Sequence, residues 1–199
     1  TVKPQDGNVA QIVGKPEKYD TLDKAIAAAA DGNTIKLLTD CEITQVFDKE
    51  LTFTGTGKIT IDTWLTNGGT NWWTLTKNLT FQGPDISVEW IAVARDIDPK
   101  EGNQSWLLVA LGSTINVLNG AHVTFKLDSN KTSVTTFLYP NDGTTSAINV
   151  AGGSTLEFIG QNTLGVDGQA IQMGGGSKFN INVTGSSTFL IDGTNRGYT

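Results

Sequence analysis

The chain has 199 residues, of which 38% are hydrophobic, and this length and composition predict one domain with a core of its own. A net charge of −6 and a pI of about 4.7 disfavour nucleic acid and anionic membranes as partners attracted over long range. The sequence contains no run of about 18 apolar residues, so we expect no membrane insertion. A single cysteine, Cys41, excludes an internal disulfide, and the flanking Asp40 and Glu42 predict an unreactive thiol.

The N-terminal part of the chain predicts a strand, a helix and a second strand. Residues 8–14 (NVAQIVG) are typical of a short strand. Asp20 or Thr21 can cap the helix that follows, and Gly32 can adopt the left-handed conformation that ends it. Residues 33–38 (NTIKLL) alternate between polar and apolar positions as a strand does. Four apolar residues at helical spacing would form the buried side of the helix: Leu22, Ala25, Ile26 and Ala29.

The rest of the chain repeats one pattern, in which alternating apolar residues are followed by a glycine-containing turn and then by a second alternating stretch. Successive repeats begin 28, 36, 33 and 23 residues apart, within the range of solenoid repeats. The alternation would direct apolar side chains inward and polar ones outward. The repeats are LTFTGTGKITI (51–61), LTFQGPDISV (79–88), INVLNGAHVTF (115–125), INVAGGSTLEF (148–158) and IQMGGGSKFNI (171–181), and a final unit contains Val183, Phe189 and Ile191.

These features favour an all-β fold, a β-solenoid whose first coil is covered by the N-terminal helix, over a β-sandwich. The strands are very short, the glycine turn recurs at one offset, and the only predicted helix comes first. We expect a single domain over residues 1–199, with the strand and capping helix in 1–38 and the coils in 39–199. Insertions would protrude around 62–110. We also expect this domain to be part of a longer chain, because no element is predicted to cover its C-terminal coil.

The string QIVGKPEKYDTLDKAIAAAADGNTIKLLTD (residues 11–40) resembles the opening of right-handed parallel β-helix modules in large surface proteins of Gram-positive bacteria. The resemblance implies a right-handed parallel β-helix related in fold to the pectate-lyase-like superfamily. It also implies an adhesin-like or stalk-like module at the cell surface, anchored to the cell wall through parts outside this chain. The matching residues are Val9, Ile12, Gly14, Tyr19, Thr21, Leu22, Ala25, Ile26, Ala29, Asp31, Gly32, Thr34, Ile35, Leu37 and Leu38, with Asn33 where the pattern has Asp.

Residues suited to catalysis are few. His122, the only histidine, falls at an outward position of an alternating strand, which is typical of a solvated surface residue. Hydrolases of this fold need two or three carboxylates on adjacent coils, and the candidates Asp85, Glu89, Asp96 and Asp98 form no recognisable motif. Residues 95–103 (RDIDPKEGN) resemble a calcium loop only faintly and are more typical of a charged insertion. We therefore predict no catalytic residue, metal or cofactor, and the balance is against an enzyme.

Tryptophan is the one unevenly distributed residue type, since all five lie between positions 64 and 106. Exposed indoles beside hydrogen-bonding groups are what a sugar-binding surface uses, although packing of the inserted loops onto the solenoid would explain the cluster equally simply. Trp90 follows Val88 in an alternating run and is expected to point inward. The candidate ligand-binding residues are Trp64, Asn71, Trp72, Trp73, Arg95, Asp96, Asp98 and Trp106.

The leading functional prediction is a non-catalytic extracellular module, adhesin-like or stalk-like, that binds a glycan or a host surface protein through the tryptophan-rich loops. The first alternative is a carbohydrate-active β-helix enzyme, either a polysaccharide lyase or a glycoside hydrolase. The second is a purely structural spacer that uses its open C-terminal coil for end-to-end self-association. The sequence leaves the ligand's identity open.

Overall fold

The computed structural model describes residues 7–45, 47–61, 73–93, 104–128, 134–161 and 171–192. These residues form short strands and one helix, which confirms the prediction of an all-β chain with an N-terminal helix. None of them belongs to a helix with the length and apolar character needed to cross a membrane.

The elements are β1 (Ala10–Ile12), β2 (Lys18–Tyr19), α1 (Leu22–Ala28), β3 (Asn33–Leu37), β4 (Cys41–Ile43), β5 (Leu51–Gly55), β6 (Ile59–Ile61), β7 (Trp73–Leu75), β8 (Leu79–Gln82), β9 (Ser87–Val93), β10 (Gln104–Ala110), β11 (Thr114–Leu118), β12 (His122–Asp128), β13 (Val134–Pro140), β14 (Thr145–Val150), β15 (Thr155–Gln161), β16 (Lys178–Val183) and β17 (Thr188–Asp192).

Three sheets contain most of the strands. The first has the order β16-β14-β11-β8-β5-β3-β1-β2, the second β17-β15-β12-β9 and the third β13-β10-β7, while β4 and β6 form a separate pair. All pairings are parallel except those of β1, which runs antiparallel to both β2 and β3. The chain therefore builds each sheet one strand at a time and leaves it between additions.

From β8 onward the chain visits the first, second and third sheets in that order. It does so with β8, β9 and β10, and again with β11, β12 and β13. It then continues through β14 and β15, makes a single bridge from Ile171 to Leu138 of the third sheet, and returns with β16 and β17. In the first sheet Ile115 pairs with Ile148 and Ile148 with Ile181, so successive partners are 33 residues apart.

The core lies between the sheets and is filled by the apolar side chains of the alternating strands. Parallel register places equivalent residues of successive strands next to one another, so phenylalanines meet phenylalanines. The rings of Phe53 and Phe81 stack with centroids 5.8 Å apart. Phe158 stacks on Phe125 and makes edge contacts with Phe137 and Phe189. The fully buried large side chains include Phe53, Phe81, Phe125, Phe137, Phe158, Ile12, Leu22, Ile35, Leu37 and Ile43.

Helix α1 covers the start of the core much as the sequence predicts. The side chain of Thr21 accepts a hydrogen bond from the backbone N–H of Lys24, which makes Thr21 the N-cap. Leu22, Ala25 and Ile26 are buried. The prediction that Gly32 ends the helix is wrong. Gly32 is left-handed, but the helix has already ended at Ala28, because Ala29 is extended.

A lysine from the following loop takes the place of the predicted glycine stop. The ammonium group of Lys49 donates to the carbonyl oxygens of Ile26, Ala27 and Ala29 at 2.8, 2.8 and 2.7 Å. A cation at this end also complements the helix dipole. Beyond it, the side chain of Asn33 accepts a hydrogen bond from the N–H of Ala30 and fixes the turn into β3.

The strand predicted over residues 8–14 is shorter than expected. Only Ala10–Ile12 is a strand, and the chain turns back at once to form β2, which the sequence did not predict. Gly14 in the left-handed conformation permits this turn. The first sheet thus ends on a two-residue antiparallel strand.

The fifth predicted repeat, residues 171–181, is out of phase with the structure. Ile171 bridges to Leu138 in the third sheet, whereas the strand in register with Ile148 starts at Lys178 and pairs Ile181 with Ile148. The true repeat therefore runs from Ile181, and it merges two units that the sequence pattern separates. This correction changes the irregular spacing of 23 into a third consecutive interval close to 33.

The range around 62–110, where insertions were expected, contains strands of all three sheets. Strands β8, β9 and β10, together with β7, fall inside it and pair in parallel with their neighbours. Residues 62–72 and 94–103 lie outside the described residues.

Candidate functional site

The outer surface of the second sheet carries a cluster of charged side chains, which we term the charged face. It consists of Lys58, Glu89, His122, Thr124, Lys126 and Glu157.

Strand register creates the charged face. Val88, Val123 and Leu156 pair in sequence across β9, β12 and β15, and all three are buried. Because side chains alternate along a strand, the next residue of each strand points outward. These residues are Glu89, Thr124 and Glu157, which follow one another across the sheet.

Glu89 is held by two lysines. The Lys126 ammonium lies 2.6 Å from one carboxylate oxygen, and the Lys58 ammonium lies 3.0 Å from the other. The hydrogen bond from Lys126, with that from Lys58, lowers the pKa of Glu89 below its ordinary value. Both carboxylate oxygens of Glu89 are thus occupied by cations.

Glu157 is held by a histidine and a hydroxyl group. His122 Nε2 donates to Glu157 Oε2 at 2.8 Å, and Thr124 Oγ1 donates to the same oxygen at 3.1 Å. These hydrogen bonds, that from His122 foremost, lower the pKa of Glu157. The prediction of an outward, surface His122 is confirmed, since 54% of its side chain is exposed.

The arrangement on the charged face favours ionised carboxylates. A general acid working near neutral pH needs a raised carboxyl pKa, and both glutamates are shifted the other way. Asp85, the other candidate that the structure describes, lies exposed in the turn between β8 and β9. Its backbone carbonyl accepts a hydrogen bond from Thr56 Oγ1 at 2.8 Å. The charged face therefore offers fixed charges and hydrogen-bonding groups rather than a proton-transfer pair.

Cys41 behaves as its neighbours predict. Burial, with the nearby Asp40, Asp23 and Glu42, raises the pKa of the thiol to about 12. A thiol that stays protonated at neutral pH is a poor nucleophile and a poor metal ligand. Among the described residues, no group of three or more His, Cys, Asp and Glu side chains is placed to hold a metal ion.

Two shallow grooves flank helix α1, with volumes of about 240 and 260 Å³. Asp23 lines both of them. Its carboxylate accepts hydrogen bonds from the backbone N–H of Thr44 at 3.2 Å and from the hydroxyl of Thr44 at 2.6 Å. The most polar group of each groove is thus engaged in holding the helix to the loop after β4.

Six of the eight predicted ligand-binding residues lie outside the described residues: Trp64, Asn71, Trp72, Arg95, Asp96 and Asp98. The backbone of the other two is described. Trp73 is the first residue of β7, and Trp106 is the third residue of the adjacent strand β10. Trp73 pairs with Leu108, two residues beyond Trp106. Trp90, expected to point inward, pairs with the buried Phe125.

The strands on either side of residues 62–72, 94–103 and 129–133 bring the ends of these segments together. The segments leave from β6, β9 and β12, of which the last two end with Val93 paired to Asp128. They re-enter at β7, β10 and β13, which are neighbours in the third sheet, with Gln104 paired to Val134. The predicted tryptophan-rich segments are therefore attached to one edge of the molecule at successive strands.

The sequence did not single out Lys58, Lys126 or Glu157. One signal for Glu157 was available, because Glu89, Thr124 and Glu157 occupy the same position of successive repeats. Comparisons with protein-family models, curated proteins and solved structures found no match. The resemblance to β-helix surface modules thus rests on the residues quoted for it.

Proposed function

We propose that the three sheets are the faces of a right-handed parallel β-helix, a β-solenoid capped at its start by α1. The repeated visit to three sheets in fixed order, with partners 33 residues apart, supports one continuous winding. Parallel strands joined through a crossover connection are almost always related by a right-handed turn. A winding of this kind also explains why each sheet gains one strand per circuit.

We propose that this β-helix is a non-catalytic extracellular module, adhesin-like or stalk-like, that binds a glycan or a host surface protein. The observation that carries the proposal is the attachment of residues 62–72 and 94–103 at neighbouring strands. Segments that begin and end side by side can present Trp72 and Arg95 to one ligand. An indole offers a flat apolar surface for sugar C–H groups, while amide, carboxylate and guanidinium groups bind hydroxyls.

The charged face supports a non-catalytic role. Each of its carboxylates has a lowered pKa and is hydrogen-bonded within the chain, so neither Glu89 nor Glu157 is suited to protonate a glycosidic oxygen. The carbohydrate-active alternative would require residues beyond the charged face. It predicts that incubation with pectins or host glycans yields shortened products, which chromatography would detect.

A binding screen tests the proposed ligand surface. The wild type and the variant Trp64→Ala/Trp72→Ala are applied to glycan arrays and to immobilised host surface proteins. We expect at least tenfold weaker binding in the double variant, since removal of two stacking indoles costs more than about 1.4 kcal/mol. His122→Ala, which alters the charged face instead, is the matched control and should bind like the wild type.

The outcomes separate the alternatives. Equal binding by the wild type and the tryptophan variant would discard these loops as the ligand surface. Loss of binding only in His122→Ala would move the site to the charged face. A wild type that binds nothing on either array would favour the structural spacer.

A further inference from the structure

The last strands of the first and second sheets leave their core side uncovered. Ile181 and Val183 of β16 are 39% and 42% exposed, whereas their partners in β14, Ile148 and Val150, are 1% and 0% exposed. Within the described residues β16 pairs only with β14, and β17 pairs only with β15. One edge of each strand therefore offers its backbone hydrogen-bonding groups to a further strand.

We propose that two copies of this chain associate through these ends, with β16 of each copy pairing antiparallel to β17 of the other. Strand β16 runs toward the turn at Gly185 and Ser186, and β17 runs away from it. A two-fold axis through this corner superposes β16 of one copy on the edge of β17 of the other. The two strands then run in opposite directions, and both pairings form together. Such an interface is isologous, the commonest kind in homodimers.

The sequences of the two strands fit this pairing. Placing Ile181 opposite Phe189 also places Phe179 opposite Ile191, so residues that continue the core meet each other. In an antiparallel pair, directly opposite side chains lie on the same side of the sheet. The same register sets Lys178, at the start of β16, opposite Asp192, at the end of β17. Opposite charges therefore meet at both outer ends of the interface.

A second copy fits this end better than a pairing of β16 with itself. Self-pairing of β16 would satisfy one sheet and leave the edge of β17 and the side chain of Phe189 uncovered. The two-fold arrangement instead covers both edges with strands of nearly equal length, six and five residues. It does not depend on the proposed ligand surface, which lies at other strands.

Disulfide trapping tests the register. In a Cys41→Ser background, Lys178→Cys/Asp192→Cys is oxidised mildly and analysed on non-reducing gels. Opposite residues of an antiparallel pair have Cβ atoms about 4.5–5.5 Å apart, close enough for a disulfide after small adjustment. We expect a covalent dimer from the double variant and none from either single variant. Cross-linking by Lys178→Cys alone would instead indicate self-pairing of β16, and absence of any cross-link would overturn the proposal.

Analytical ultracentrifugation tests the association itself. The wild type should form a dimer as its concentration rises, and Ile181→Lys should remain monomeric at all concentrations. Val13→Lys is the matched control, because Val13 is 55% exposed at the other end of the chain and should leave the dimer intact. A wild type that stays monomeric up to about 1 mM would refute the proposal. Dimerisation of Ile181→Lys equal to that of the wild type would refute it as well.

Discussion

The ring of Phe158 stacks on the ring of Phe125, with centroids 5.0 Å apart and planes inclined by only 10°. The two residues belong to adjacent strands of the second sheet and pair directly. Each ring is fully buried, and Phe158 also touches Phe137 across the core. Phe158 therefore joins the second and third sheets.

Phe158→Ala should destabilise the protein by about 3–5 kcal/mol, because it removes a buried ring and leaves a cavity that three neighbouring rings cannot fill. Phe189→Ala removes an edge contact of Phe158 from a partly exposed position and should cost about 1–2 kcal/mol. Urea denaturation of both variants measures the difference in the free energy of unfolding. Equal losses would show that the uncovered end is packed as tightly as the interior.

Two glycines with ordinary backbone dihedrals test how closely successive turns approach. A Cβ at Gly57 would overlap the backbone carbonyl oxygen of Thr39, whereas nothing lies within 4 Å of the position that a Cβ would take at Gly175. Gly57→Ala should therefore cost at least about 2 kcal/mol, since backbone atoms must move. Gly175→Ala should change stability by less than about 1 kcal/mol. Thermal denaturation of the pair is the measurement, and a matching shift in both would contradict the close approach.

Lys49 should contribute more to stability than its position in a loop suggests. Its ammonium group binds three carbonyl oxygens at the end of α1, and Lys49→Met leaves them without that donor. We expect a loss of about 1–2 kcal/mol in the free energy of unfolding. Lys24→Met, which removes only an exposed ion pair with Asp20, is the control and should cost less than about 0.5 kcal/mol. A loss in Lys49→Met no greater than in the control would show that the cap contributes nothing.

The charged face predicts a specific dependence of stability on pH. The pKa of Glu89 is lower in the folded chain than its unfolded value of 4.5. Its ionic contacts therefore stabilise the fold above that pH, and their contribution is lost as the pH falls through the folded pKa. Lys126→Met removes the main cause of the shift, so it should cost about 1 kcal/mol at pH 7 and much less at pH 3.

The control for this prediction is Lys36→Met, which removes an exposed lysine from the first sheet and should show no such pH dependence. Denaturant titrations at several pH values between 3 and 7 provide the comparison. A wild-type advantage over Lys126→Met that stays constant across this range would exclude the assigned role of the Glu89 carboxylate.

Local alternation and capping made the first part of this fold predictable. Leu22, Ala25 and Ile26 are buried as their spacing requires, and Thr21 is the cap. The helix end was not predictable, because Lys49 ends it from about 20 residues away in sequence. Propensity alone continues a helix through alanines, and only a tertiary contact stops it earlier.

The third sheet and the charged face were harder to predict. Strands β7, β10 and β13 lack the glycine turn that marks the other repeats, so they gave no periodic signal. Ile171 belongs to their sheet, and its glycine-rich neighbours imitated a repeat start at the wrong phase. Pairs such as Glu89 and Lys126 are 37 residues apart and become neighbours only through strand register. Register depends on the length of every intervening turn, which alternation does not record.

The antiparallel return of β1 and β2 limits how this chain can assemble. Strand β2 has two residues, and α1 lies beside it with its apolar residues already buried. A molecule that is adhesive at one end joins a single partner and is then complete, whereas one adhesive at both ends polymerises into a filament. The short reversal at the start of the chain would thus act as a chain terminator, so that growth stops at a pair.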